Sequence, residues 1–187
     1  CPGVTVWFID RLIRMYRSSA VVDILSIRAH SGVTEIKFLQ PSMTLSPGQY
    51  VFINIPEISL FEWHPFTISS GQCCESFSLH IKSMGVGTWT DRLLEVAIRG
   101  NAKISLAVDG PYGHTIPYAD YQRVLLCAGG IGITPCASIF SGLKKTEGIQ
   151  ASLLWCLREH QLIEAFKEQL KTPCHPKNED VNSNSGN

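Results

Sequence analysis

Between residues 20 and 113 the apolar positions come in short β-prone runs, at 21–27, 35–39, 50–55, 66–69, 77–81 and 104–108. Ser31-Gly32, Ser46-Pro47-Gly48 and Gly71 break the runs, and these are turn-forming residues. Six strands at this spacing predict a small antiparallel barrel. One stretch has helical periodicity instead, 89–98, with Leu93, Leu94 and Ala97 on the face to be buried. After Tyr121 the period changes. Val124-Leu125-Leu126-Cys127 is a continuous apolar run, the pattern of a strand covered on both faces, and a helix is predicted over 135–145. A second such strand over 152–157 and an amphipathic helix over 162–170 complete a parallel α/β pattern. At the start, a helix is predicted after Pro2, with Arg11, Arg14 and Arg17 on one face and Trp7, Phe8, Leu12 and Met15 nearby. From Pro173 the chain is polar, rich in Asn and Ser, and expected to be disordered.

Composition narrows the classes. A length of 187 residues suits one large domain or two small ones, and 44% hydrophobic residues can build a core. Sixteen basic residues balance sixteen acidic ones, which argues against nucleic acid as the main partner. The seven cysteines, at 1, 73, 74, 127, 136, 156 and 174, form no CxxC pair. That spacing speaks against a structural zinc site or a disulfide framework, and it fits a reducing compartment. No apolar run approaches the roughly 18 residues that cross a bilayer. The chain opens on Cys1 rather than Met, and a fragment is expected.

The strongest local signal is Ala128-Gly129-Gly130-Ile131-Gly132-Ile133-Thr134-Pro135, between an apolar strand and a helix. Glycine permits a tight turn and close approach of a phosphate. Thr134 fits the helix N-cap and Pro135 the first helical position, so free N–H groups would face an anion. A plain strand-to-helix turn would use glycine too. The third glycine of the dinucleotide fingerprint is replaced by Pro135.

Three further segments stand in order: His64-Pro65-Phe66-Thr67-Ile68-Ser69-Ser70, the run Lys82 to Thr90 (KSMGVGTWT), and Asp109-Gly110-Pro111-Tyr112-Gly113. Together with the glycine loop they resemble the ferredoxin-reductase superfamily, and within it the NADPH oxidases and ferric reductases. The resemblance implies a six-stranded antiparallel FAD-binding barrel followed by an incomplete parallel sheet for NADPH. It divides the chain into a juxtamembrane segment at 1–19, the barrel at 20–115, a partial NADPH-binding domain at 116–172 and the tail at 173–187. His64, Pro65, Phe66 and Thr67 would line the flavin. His80 and Lys82 would lie along the FAD chain, and Gly87 and Thr90 would open a helix under its phosphates. Gly110, Pro111, Tyr112 and Gly113 would shape the seam where nicotinamide meets flavin. Gly130, Gly132 and Thr134 would take the NADPH pyrophosphate. Arg158 would meet the adenosine ribose phosphate, with Glu159 beside it turned away by strand alternation.

The mechanism so implied needs no acid, base, nucleophile or metal ion from these residues. Electrons pass from NADPH through FAD to haem in membrane helices outside this segment, on the cytosolic face of an integral membrane protein. The final acceptor is oxygen or a ferric iron chelate, and the motifs leave both open. Two alternatives stand beside this reading: a soluble flavin reductase serving a partner protein, and a truncated, non-catalytic FAD-binding module.

Overall fold

The structure is a computed structural model that describes residues 2–17, 21–41, 43–71, 76–100, 104–144 and 146–171. The helix α1 spans Pro2–Arg17, and along it Val4, Val6, Trp7, Phe8 and Ile9 are exposed. The expected arginine face falls on side chains outside the described residues, as does the expected tail from 173.

Six strands follow: β1 (Val21–His30), β2 (Val33–Leu39), β3 (Tyr50–Asn54), β4 (His64–Thr67), β5 (Phe77–Lys82) and β6 (Leu106–Tyr112). They form one antiparallel sheet in the order β4-β3-β6-β1-β2-β5. The sheet curls until its edges meet, through a bridge between Ile68 and Leu79 and a bond from Ser69 N–H to the Ser78 carbonyl. Closure of this kind removes free edges, the usual liability of an antiparallel sheet. The predicted Ser31-Gly32 turn joins β1 to β2, both residues having positive φ (41° and 84°), as a two-residue hairpin loop requires.

Alternation sets the core. Phe38, Ile36, Val51, Ile53, Ile68, Leu79, Ile81 and Leu106 point inwards and are almost wholly buried. The helix α2 (Trp89–Arg99) covers this core with Trp89, Leu93 and Ala97, while Leu94 is only half-buried.

The second unit has strands β7 (Arg123–Gly129) and β8 (Gln150–Cys156), paired in parallel, with α3 (Ile133–Leu143) between them. Two short helices end it, α4 (Gln161–Ala165) and α5 (Lys167–Lys171). The predicted single helix is divided at Phe166, whose φ of −105° leaves the helical region as its ring turns towards the barrel. The expectation that β7 and β8 are covered on both faces is corrected: exposure alternates along each, and Leu125, Cys127, Leu154 and Cys156 stand exposed on one side. Helix α3 covers one face alone, which is what a two-stranded parallel sheet flanked on one side provides.

A second apolar cluster joins the units. Ile133, Ala137, Leu162, Ala165 and Phe166 pack with Val33 of β2, so the outer face of the barrel is part of the α/β core.

Candidate functional site

The barrel carries two aromatic groupings on either side of β4. On one face the His64 ring lies 4.5 Å from that of Trp89, and Phe66 stacks on Trp89 at 6.0 Å. Trp89 is 5% exposed, and its indole N–H lacks a hydrogen-bond partner. His64 Nε2 is 3.3 Å from Glu62 Oε2. Alternation sends Pro65 and Thr67 to the other face. There Pro65 pairs in register with Phe52, and Thr67 with Tyr50. Tyr50 stacks on Tyr112 at 5.8 Å, and Phe52 meets Tyr112 edge-on at 5.5 Å. Tyr50, Phe52 and Tyr112 are partly buried, whereas Trp89 is buried and Phe66 packs against the barrel core.

Tyr112 is held by its own strand, since its hydroxyl donates to Asp109 Oδ2 at 2.9 Å. Gly110 has a φ of 143°, and a Cβ there would press within 3.1 Å of Val51. Gly113 (φ 100°) ends the barrel, its carbonyl accepting from Gln49 Nε2 at 2.9 Å. Pro111 lies between them in β6.

The loop before α2 is organised by a residue that the motif reading passed over. Thr88 is the N-cap and accepts from Asp91 N–H at 3.2 Å. The Asp91 carboxylate in turn takes Gly87 N–H at 2.9 Å and the Ser83 hydroxyl at 3.1 Å. This is a variant of the capping box in which the Asp91 carboxylate takes the N–H of the residue before the cap, and its Thr88-x-x-Asp91 spacing is legible in sequence. Gly87 (φ 78°) supplies the turn, and Thr90 Oγ1 accepts from Met84 N–H at 3.0 Å. Ahead of Asp91, the first amides of α2 have no intrahelical acceptor and carry the positive end of the helix dipole.

The glycine loop sits where the strand pattern places it, at the carboxyl end of β7. Gly130 to Gly132 form a short 3-10 turn that runs directly into α3. The helix begins at Ile133 with Gly132 as N-cap, two residues before the expected start. Thr134 is therefore not the cap; its hydroxyl donates back to the Ile131 carbonyl at 3.3 Å. Pro135 occupies the third helical position, still within the turn whose N–H groups lack partners, so no bond is lost. A Cβ on Gly129, Gly130 or Gly132 would meet no protein atom within 4 Å. The space beside the loop is open, as phosphate approach demands. Trp155 of β8 donates its indole N–H to the Gly130 carbonyl at 2.9 Å and braces the turn.

Arg158 follows β8 at the same end of the sheet, because Gly129 and Cys156 are register partners. It is exposed, and no ion pair joins it to another described residue. Strand alternation does not govern Glu159, since β8 ends at Cys156. Lys82 of the barrel draws it off, Nζ to Oε1 at 2.8 Å. Lys82 is thus tied to the second unit.

His80 stands apart from the other predicted residues. Its ring is buried between the units, with Nε2–H donating to the Ala165 carbonyl at 2.8 Å and Nδ1 2.7 Å from the Ser69 hydroxyl. Phe166 stacks on it at 4.2 Å. Desolvation lowers its pKa to about 4, against the pull of nearby Glu35 and the Ala165 carbonyl. The ring is neutral near pH 7, and its bond to Ala165 sets the tautomer.

Residues 19–116 match the family described as FAD-binding domain, and residues 121–185 match the Ferric reductase NAD binding domain. NADPH oxidase 3 of Homo sapiens is 34% identical over 184 residues, covering 89% of this chain and 32% of that protein. NADPH oxidase 1 of Mus musculus is 35% identical, covering 75% of this chain and 24% of its own length. Ferric reduction oxidase 7, chloroplastic, of Arabidopsis thaliana is 30% identical, with 78% and 22% covered. The chain thus spans about a quarter to a third of these relatives. Among solved structures, a ferredoxin NADP+ reductase from Neisseria gonorrhoeae with bound FAD and NADP superposes with a TM-score of 0.65 at 14% identity, over 81% of this chain and 62% of that one. Phthalate dioxygenase reductase gives 0.64 at 16%, over 79% and 47%. At these identities the likeness is one of fold.

Proposed function

Because the chain belongs to the family of NADPH oxidases and ferric reductases, we propose that it is the part of such an enzyme that carries electrons from NADPH through FAD. The observation that carries this reading is a joint placement. In a single chain, the HPFT strand lies against α2, and the glycine loop lies at the carboxyl end of a parallel strand pair.

The residues fit the flavin cofactor. Thr67 and Tyr112, on the outward face of β4 and its neighbours, would offer a hydroxyl and aromatic surface to its ring, and His64, Phe66 and Trp89 would back that strand from the core side. The unpartnered Trp89 indole N–H is a donor that needs an acceptor; leaving it unmet costs about 1–3 kcal/mol. The first turn of α2, set by Thr88 and Asp91 and reached through Gly87, would face the pyrophosphate, while Lys82 stays paired with Glu159. His80 is buried in the contact between units, and its contribution is to place β5 rather than to touch the cofactor. For NADPH, Gly130 and Gly132 would admit the pyrophosphate against α3, Thr134 would stiffen that turn, and Arg158 would receive the ribose phosphate. Gly110, Pro111, Tyr112 and Gly113 would border the nicotinamide.

Bound FAD would supply the conversion between a hydride from NADPH and electrons passed on one at a time. The chain's own residues bind, orient and exclude water. No helix among the described residues is long and apolar enough to cross a membrane. The exposed apolar side chains of α1 support a place for that helix beside the membrane part of the enzyme, where electrons would pass to haem. Oxygen or a ferric chelate would be the final acceptor, in keeping with the names of the relatives.

The test is flavin binding. Purified chain titrated with FAD is expected to quench flavin fluorescence and to stay yellow after gel filtration. Thr67→Val should weaken retention. A folded chain that takes up no FAD would refute the flavin site.

A further inference from the structure

The Ser-Ser-Gly continuation of the HPFT strand bonds to β5 within the barrel and also meets the other unit. Ser138 of α3 donates its hydroxyl to the Ser70 carbonyl at 2.9 Å. A Cβ on Gly71 would come within 2.6 Å of Ser141 Oγ and 3.2 Å of Ser141 Cβ, so any larger residue must displace Ser141. Ser69 meets His80 at 2.7 Å, and His80 reaches on to the Ala165 carbonyl at 2.8 Å. Ser69, Ser70, Ser138, Ser141 and His80 are all buried.

Apolar packing alone is non-directional and permits two surfaces to slide. Buried hydrogen bonds do not, because each has one geometry and breaking it leaves unmet polar groups. Three separate points of attachment fix both distance and orientation. They also tie the right segments together. Ser69 lies two residues beyond Thr67, Ser138 lies on the helix that the glycine loop opens, and Ala165 lies seven residues beyond Arg158.

We propose that Ser69, Ser70, Gly71 and His80, with Ser138 and Ser141, form a positioning clamp that sets how closely the nucleotide unit approaches the flavin strand. The inference rests on the function proposed above, and it assigns these residues to alignment rather than to cofactor binding. Hydride transfer requires reacting atoms within about 3–3.5 Å, and a displacement of about 1 Å can cost roughly a hundredfold in rate. A loosened clamp should therefore lower the rate of flavin reduction while FAD affinity holds.

Two measurements test this. In this chain, hydrogen–deuterium exchange should rise over residues 133–143 and 161–166 in Gly71→Val and His80→Leu, while α2 stays protected. In the full-length protein, the same variants should slow the NADPH-driven reduction of bound flavin by about tenfold or more at saturating NADPH, with KM and FAD affinity within about twofold of wild type. His80→Gln should recover both readouts, since its amide can donate to Ala165 and accept from Ser69. Unchanged exchange at the contact would overturn the clamp, as would normal reduction rates despite raised exchange. FAD loss in step with the rate would overturn it too, by placing these residues in the flavin site. If the wild-type chain binds no FAD, the functional reading fails, and the exchange experiment still decides whether the clamp joins the units.

Discussion

His80 holds its ring among Glu35 and Lys37 of β2, His30 of β1, Ser69, and the Ala165 and Phe166 of the second unit. Burial lowers its pKa to about 4, below the ordinary 6.5 of the unfolded chain. The native state therefore binds the proton less readily than the unfolded state does. Stability contributed by the neutral ring is present above pH 6.5, erodes as pH falls through the window, and is gone below about 4. Between pH 7 and 5 the loss should be about 2 kcal/mol. Urea unfolding of wild type and His80→Gln at both pH values isolates this from the titration of carboxylates. The wild-type curve should fall more steeply, and parallel curves would show that the folded ring binds its proton no less readily than the unfolded one. Nothing in His-Ile-Lys announces this environment, because the partner carbonyl lies 85 residues away.

The helix α2 was legible in its periodicity, and so were its buried Leu93 and Ala97. Its start was legible as well, in Thr88-x-x-Asp91, a local signal that the glycines around it overshadow. Asp91 binds the loop from Ser83 to Gly87, so the cap does more than end a helix; it shapes the turn proposed to face phosphate. Thr88→Ala should cost about 1 kcal/mol of stability, measurable in denaturant unfolding, and should weaken FAD binding through a loosened loop. A stability loss with unaltered FAD affinity would confine the cap to folding. The end of the chain's helical pattern was less legible. Periodicity over 162–170 continues without a break, and only the docking of Phe166 on His80 divides it.

The contact between the two units also decides the charge around the proposed NADPH site. Glu159 alone beside Arg158 would repel a ribose phosphate. Lys82 engages it from the barrel, which leaves Arg158 available for paired, charge-assisted bonds to phosphate that NADH cannot make. Arg158→Ala in the full-length protein should weaken NADPH by about ten- to a hundredfold, or about 1.5–3 kcal/mol, and leave NADH almost unchanged. Steady-state kinetics with both nucleotides reads this directly. Equal losses would assign Arg158 to the fold.

What the sequence determined by itself is local: six short strands separated by turn residues, the α/β alternation, and the glycine loop between strand and helix. Hydrophobic period and glycine conformation depend on neighbours within a few residues, so one-dimensional reading reaches them. Tertiary structure alone decided the rest. It exposed one face of β7 and β8, which the apolar run Val124-Leu125-Leu126-Cys127 had promised to bury, because coverage depends on which elements stack above a sheet. It moved the start of α3 to Ile133, because the 3-10 turn at Gly130 flows into the helix. It also took His80 into the contact between units and paired Lys82 with Glu159, because both outcomes require segments about eighty residues apart to be brought into contact by folding.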